Sequence, residues 1–202
     1  MAEPNTKDSL PIRQFGDPVL REHATEVDRT EIEAPQIQGI IDDMVLSLHA
    51  AGGIGLAAPQ IGVSRRIIII EIPAMTRVGY GMVPETPLLV LINPQIVSAS
   101  SELRRAPEAC LSIRSGNDGV YEGIVERPET VQVQGYDRAG NEVTVQGDKL
   151  LGRALQHEID HLDGILFTDR IRDLKDLRIY FPVSTSDPVL GQNSYLANKG
   201  EM

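Results

Sequence analysis

Between residues 33 and 50, Ile37, Ile40, Ile41, Met44, Val45 and Leu48 recur at i, i+3, i+4, i+7, i+8 and i+11. That spacing is the apolar stripe of one amphipathic helix. Pro35 falls in its first turn, where the missing N–H costs nothing, and Gly52-Gly53 ends it. Residues 66–72 and 88–97 are short runs rich in Ile, Val and Leu and predict buried strands. Val131 and Val133, then the turn segment Asp137-Arg138-Ala139-Gly140-Asn141, then Val143 and Val145 predict an antiparallel hairpin. A second helix is predicted over residues 149–162, with Asp148 as N-cap and Gly164 just past its end. Its apolar residues Leu150, Leu151, Ala154, Leu155, Ile159 and Leu162 surround most of the circumference, so it should be buried on several sides. Helix, strands, hairpin and buried helix in that order predict an α+β fold rather than a doubly wound sheet.

The chain has 202 residues, 41% of them hydrophobic and 24% charged, with no repeat or low-complexity tract. That is enough for one domain with a real core. Residues 11–172 are expected to form it. Residues 1–10 are polar and expected to be flexible. Residues 173–202, where Leu174, Leu177, Ile179 and Phe181 alone hint at order, are expected to be a partly mobile extension. The net charge of −10 argues against a nucleic-acid surface, and the basic pairs Arg65-Arg66 and Arg104-Arg105 are isolated. A single cysteine excludes an intrachain disulfide. The start of the sequence carries no signal core, and the longest apolar run, residues 67–70, is far too short for a bilayer. The expectation is a soluble cytoplasmic protein without membrane contact.

The second helix contains His157-Glu158-Ile159-Asp160-His161, an H-E-x-x-H sequence. Residues four apart share a helix face with Cβ atoms about 6 Å apart, so both imidazoles can meet one metal ion. Glu158 lies roughly 100° round from His157 and about 60° from His161, beside such an ion, where it can take a proton from water. A catalytic site needs a third ligand. Candidates are Asp160, Asp163, an acidic side chain elsewhere, or Cys110 in Glu108-Ala109-Cys110-Leu111-Ser112, between predicted strands. Asp160 more naturally orients an imidazole or solvates the helix, and a lone cysteine is often just a small buried apolar residue. Gly53-x-Gly55 lacks the further residues of a phosphate loop. Glu108 and Arg127 can pair to hold the cysteine segment. Leu150, Arg153 and Ala154, on the side of His157, can shape a pocket or simply a core. His23 and His49 have no partner spacing.

Three segments together carry a resemblance: Gly53-Ile54-Gly55-Leu56-Ala57-Ala58-Pro59-Gln60, then Glu108-Ala109-Cys110-Leu111-Ser112, then Gln156-His157-Glu158-Ile159-Asp160-His161-Leu162-Asp163-Gly164. In order and separation they resemble the motifs of the peptide deformylase family. Gly16-Asp17-Pro18-Val19-Leu20 and Gly62-Val63 resemble it too, and the likeness covers residues 12–172. It implies antiparallel sheets packed around a central buried helix carrying H-E-x-x-H. It also implies that Cys110, His157 and His161 hold ferrous iron, with zinc or nickel able to substitute. Glu158 would activate a metal-bound water, and Gln60 and the Leu111 backbone N–H would stabilise the oxyanion. Gly53, Ile54, Gly55, Glu108, Leu150 and Ala154 would meet a substrate that begins with N-formylmethionine. Such substrates are nascent chains, so a transient ribosome contact is implied. A thiolate beside ferrous iron also predicts oxidative inactivation. The family has Gly where this chain has Ala109, so either φ is negative there or the loop is shifted. Residues 74–87 and 113–119 are expected to be loops. Two other classes compete: a metallopeptidase whose third ligand is not Cys110, and a silent binder of peptide amino termini.

Overall fold

The computed structural model describes residues 9–77, 80–114 and 119–180. The elements run α1 (Pro35–Ala51), β1 (Gly55–Ala57), β2 (Ile67–Ile72), β3 (Met75–Arg77), β4 (Gly81–Val83), β5 (Thr86–Ala99), β6 (Leu103–Arg114), β7 (Val120–Pro128), β8 (Thr130–Tyr136), β9 (Glu142–Asp148), α2 (Lys149–Leu162) and β10 (Leu177–Tyr180). Helix α1 ends as its sequence predicts. Gly52 takes the left-handed conformation, φ 65°, and its N–H returns to carbonyls of the last turn.

Strands β1-β2-β5-β8-β9 form an antiparallel sheet in that order. The continuous apolar run of β2 has a simple cause. Ile68, Ile70 and Ile72 face one way and join Leu155, Ile159 and Leu162 of α2. Ile67 and Ile69 face the other way and join Ile37, Ile41, Met44 and Leu48 of α1. A sheet covered on both faces needs no polar alternation. A second antiparallel sheet, β10-β7-β6, closes over α2, with Cys110, Ile113 and Val125 packed on Leu166 and Phe167. Helix α2 is thus enclosed, and 12 of its 14 residues are buried. Since half of those are polar, nearly every one needs a protein partner.

Four expectations need correction. Cys110 lies within strand β6, not between strands; β6 alternates less cleanly because its outward positions include Ala109 and Leu103. The expected domain end at residue 172 is too early, since β10 pairs with β7 through Tyr180. Phe181 and residues 1–8 lie outside the described residues. Residues 75–77 and 81–83 pair as the antiparallel strands β3 and β4 within the expected 74–87 loop, and β6 reaches Arg114, into the expected 113–119 loop. Asp148 occupies the N-cap position of α2, but its side chain makes no capping bond.

Candidate metal centre and cleft

Helix α2 directs Leu150, Ala154, His157, Glu158 and His161 along one face, at i, i+4, i+7, i+8 and i+11. Strand β6 brings Cys110 to meet them. Its Sγ lies 3.1 Å from His161 Nε2, and the donor atoms of Cys110, His157 and His161 all fall within 4.8 Å of one another. His157 Nδ1 sits 2.9 Å from Glu108 Oε2, which leaves Nε2 for the cluster. An ion with bonds of about 2.0–2.3 Å places tetrahedral donors roughly 3.3–3.8 Å apart, so this group fits one with small adjustment. His161 Nδ1 and Glu158 Oε2 are buried without a hydrogen-bond partner. A soft thiolate with two imidazoles suits iron, zinc or nickel rather than magnesium or calcium.

Glu108 organises the wall behind the cluster. Its carboxylate accepts from Arg127 Nε at 2.6 Å and Nη2 at 2.9 Å, and from Arg153 Nη1 at 2.6 Å. Burial pushes its pKa up, but the bonds from Arg127 and His157 outweigh that and hold it well below the usual carboxylate range. A carboxylate that only accepts fixes the proton of His157 on Nδ1. Burial disfavours a charged imidazole at both histidines. At His157 the acceptors Cys110 and Glu108 overcome it and raise the pKa, while at His161 burial and the His157 charge lower it.

The other ligand candidates sit elsewhere. Asp160 neither ligates nor orients an imidazole; it accepts from Arg127 at 2.7 Å and from Arg170. Asp163 is taken by Arg66 at 2.7 Å. His23 and His49 are exposed beside Asp163 and Glu71 respectively.

Gln60 is held from the 3₁₀ turn after β1. Its Oε1 accepts from Ala57 N at 2.8 Å, which turns Nε2 toward Ser112 Oγ at 3.1 Å and Cys110 Sγ at 3.5 Å. Leu111 falls where the β6–β7 register shifts between Ala109 and Arg114, so its N–H stands outside that pairing. Ala109 lies in β6 opposite Glu122 and does not have positive φ, which settles the substitution at the family's glycine in favour of the negative-φ alternative. At Gly55 a Cβ would run into the Glu158 carboxyl group, so any side chain here would have to push that group aside. Burial pushes Glu158 up to about 7, against the opposing charge of His157.

A cavity of about 280 Å³ opens onto the cluster, lined by Gly53, Ile54, Gly55, Gln60, Cys110, Leu111, His157 and Glu158, among others. Glu108, Leu150 and Ala154 line it as well. The Glu108 carboxylate is fully occupied, so what it can offer a ligand is backbone. Arg153 lines the cavity beside Leu150 and Ala154, with its guanidinium held by Glu108 and by the carbonyls of Val125 and Arg104. Ser112, Phe167, Arg77 and Arg114 went unnoticed in the sequence. Ser112, two residues after Cys110, shares its face in a strand, a signal that assigning β6 would have exposed. Phe167 stacks near His157, centroids 6.2 Å apart, and no local pattern announces that contact.

An α+β fold enclosing an H-E-x-x-H helix, with a strand-borne cysteine beside its two histidines, has a donor set that could serve a metallohydrolase. The family model described as Polypeptide deformylase matches residues 9–177. A peptide deformylase of Caldanaerobacter subterraneus is 46% identical over 160 residues, covering 79% of this chain and 87% of that one. One from Desulforudis audaxviator is 43% identical over 159 residues, covering 79% and 91%. Among solved structures, the class I type b peptide deformylase of Acinetobacter baumannii with Met-Ala-Ser bound superposes with TM-score 0.73 at 34% identity, covering 81% of this chain and 98% of that one. The actinonin complex of the Synechococcus elongatus peptide deformylase gives 0.71 at 36%, covering 87% and 86%. The chain belongs to the peptide deformylase family. It is a metal-dependent hydrolase that removes the formyl group from the N-terminal methionine of new polypeptides. No helix among the described residues is long and apolar enough to cross a membrane.

Proposed function

We propose that Cys110, His157 and His161 hold one ferrous ion, replaceable by zinc or nickel, and that Glu158 is the general acid/base of deformylation. The observation that carries this reading is the convergence of the three donors beside the unpartnered Glu158 Oε2 at the inner end of the cavity. When bound, such an ion would supply Lewis acidity, to polarise the formyl carbonyl and acidify a water molecule. Glu158 takes the proton of the attacking water and delivers it to the methionine nitrogen as the C–N bond breaks, releasing formate and a free amine. Gln60 Nε2 and the Leu111 N–H donate to the oxygen on which charge develops. Gln60 needs no reorganisation, because Ala57 already fixes its amide. Edge strand β1 offers the backbone of Gly55 to the extended substrate, while Leu150 and Ala154 receive the methionine side chain. The reaction takes place in the cytoplasm, on chains leaving the ribosome and with transient contact to it. Anaerobic purification with metal analysis and turnover of formyl-Met-Ala-Ser tests the assignment. One iron per chain, with activity and iron lost together in air, is expected. Full turnover with trace metal overturns it.

A further inference from the structure

The cavity carries two cationic groups for which the deformylation chemistry has no use, Arg77 and Arg114. Arg77 ends β3, opposite Gly81. Its hairpin is anchored, since Tyr80 and Val83 are buried and Met75 packs on the same core. Arg114 ends β6, the strand that carries Cys110. Neighbouring arginines are engaged: Arg66 with Asp163, Arg104 with Glu129, Arg105 with Asp176, Arg127 with Glu108 and Asp160, and Arg153 with Glu108. Among the described residues, Arg77 and Arg114 have no hydrogen-bond or ion-pair partner. In a chain with 29 acidic against 19 basic residues, two arginines at one cavity, neither paired with a carboxylate among the described residues, stand out.

Their distance from the reacting centre indicates what they would meet. A strand rises about 3.3 Å per residue, so Arg114 lies at most ~13 Å along β6 from Cys110. An extended peptide with its formyl group at the cluster brings its third or fourth residue to that level. We propose that Arg77 and Arg114 form a cationic rim that selects formylated peptides carrying a carboxylate at the third or fourth residue. The inference rests on the deformylase reading of the site. Guanidinium groups match carboxylates in bidentate geometry. Arg114 is exposed and Arg77 half-buried, so the gain is several-fold and salt-sensitive.

The test compares kcat and KM for C-terminally amidated formyl-Met-Ala-Asp-Asp-Ser, its Lys-Lys counterpart and its Ser-Ser counterpart, using the metal-loaded enzyme at low and high salt. Formyl-Met-Ala-Ser as free acid and as amide separates a side-chain carboxylate from a chain terminus. The expected result is a preference of about threefold to tenfold for the Asp peptide over the Lys peptide, expressed in KM and lost at high salt. Arg77→Glu with Arg114→Glu should invert it, and Arg77→Lys with Arg114→Lys should retain it. If the reversed variant fails to fold, the single changes Arg77→Gln and Arg114→Gln should each reduce the preference. Equal use of the Asp and Lys peptides overturns the inference, as does a preference unchanged in the variants or one confined to the free terminus. Failure to process the Ser-Ser peptide would instead count against the deformylase reading itself.

Discussion

Replacing Glu108 by glutamine keeps the shape of the side chain and removes the charge around which the polar wall is built. Four contacts meet on that carboxylate: two from Arg127, one from Arg153 and one from His157. The group is held well below the usual carboxylate range, so it is charged at any working pH. Breaking a buried ion pair costs about 3–5 kcal/mol, mainly because a charge is left without compensation. Here Arg127 keeps Asp160 and Arg153 keeps two backbone carbonyls. The loss should therefore fall near the lower end, about 3 kcal/mol. A second effect acts through His157. The carboxylate can only accept, which keeps the proton on Nδ1; a glutamine amide can donate there and drive the proton to Nε2, the atom facing the cluster. Metal affinity should then fall by about 10–100-fold. Urea unfolding of the metal-free proteins measures the first effect, and zinc competition against a chelator the second. A variant within about 1 kcal/mol of the parent, binding zinc within twofold, would refute the reasoning.

Gly55→Ala should push the Glu158 carboxyl group aside and lower kcat about 100-fold while zinc affinity holds; unchanged turnover would show that β1 yields instead. Gln60→Ala should lower kcat about 10²–10³-fold, the range for one oxyanion donor, and a loss under threefold would remove it from that role. Asp169 accepts from Arg21 and from Leu166 N, which overcome the upward push of burial and lower its pKa. Between its folded value and about 3.9 the unfolded state binds more protons, so this stabilisation is present above about pH 4 and fades as the pH falls. The pair is 39–44% exposed, so Asp169→Asn should cost under about 1 kcal/mol at pH 7 and less at about pH 3. Equal gaps at the two pH values in urea melts would contradict that.

The two helices and the paired faces of the main sheet were legible because their burial is periodic. Stripes at 3.6-residue spacing mark α1, and the unbroken run of β2 marks a sheet covered on both sides. The pair of histidines was legible because i and i+4 on one helix is local geometry. The position of Cys110 was not, because it depends on a β6–β7 pairing between segments with weak alternation; only the likeness to a family singled it out. The role of Asp160 was misread for a related reason. Its partners Arg127 and Arg170 lie 33 and 10 residues away, and no spacing rule connects them. Arg77 and Arg114 are separated by 37 positions and meet at one cavity only in the fold. Pairings across long stretches of chain are where local pattern loses its hold.

The most direct measurement of the central claim is turnover of formyl-Met-Ala-Ser by Glu158→Ala beside the parent protein, with metal content determined on the same samples. One metal ion per chain in both proteins, with deformylation abolished in the variant, is the predicted result. A variant that retains both metal and turnover would contradict it, because the proton would then have a carrier other than the Glu158 carboxylate, whose Oε2 has no hydrogen-bond partner among the described residues.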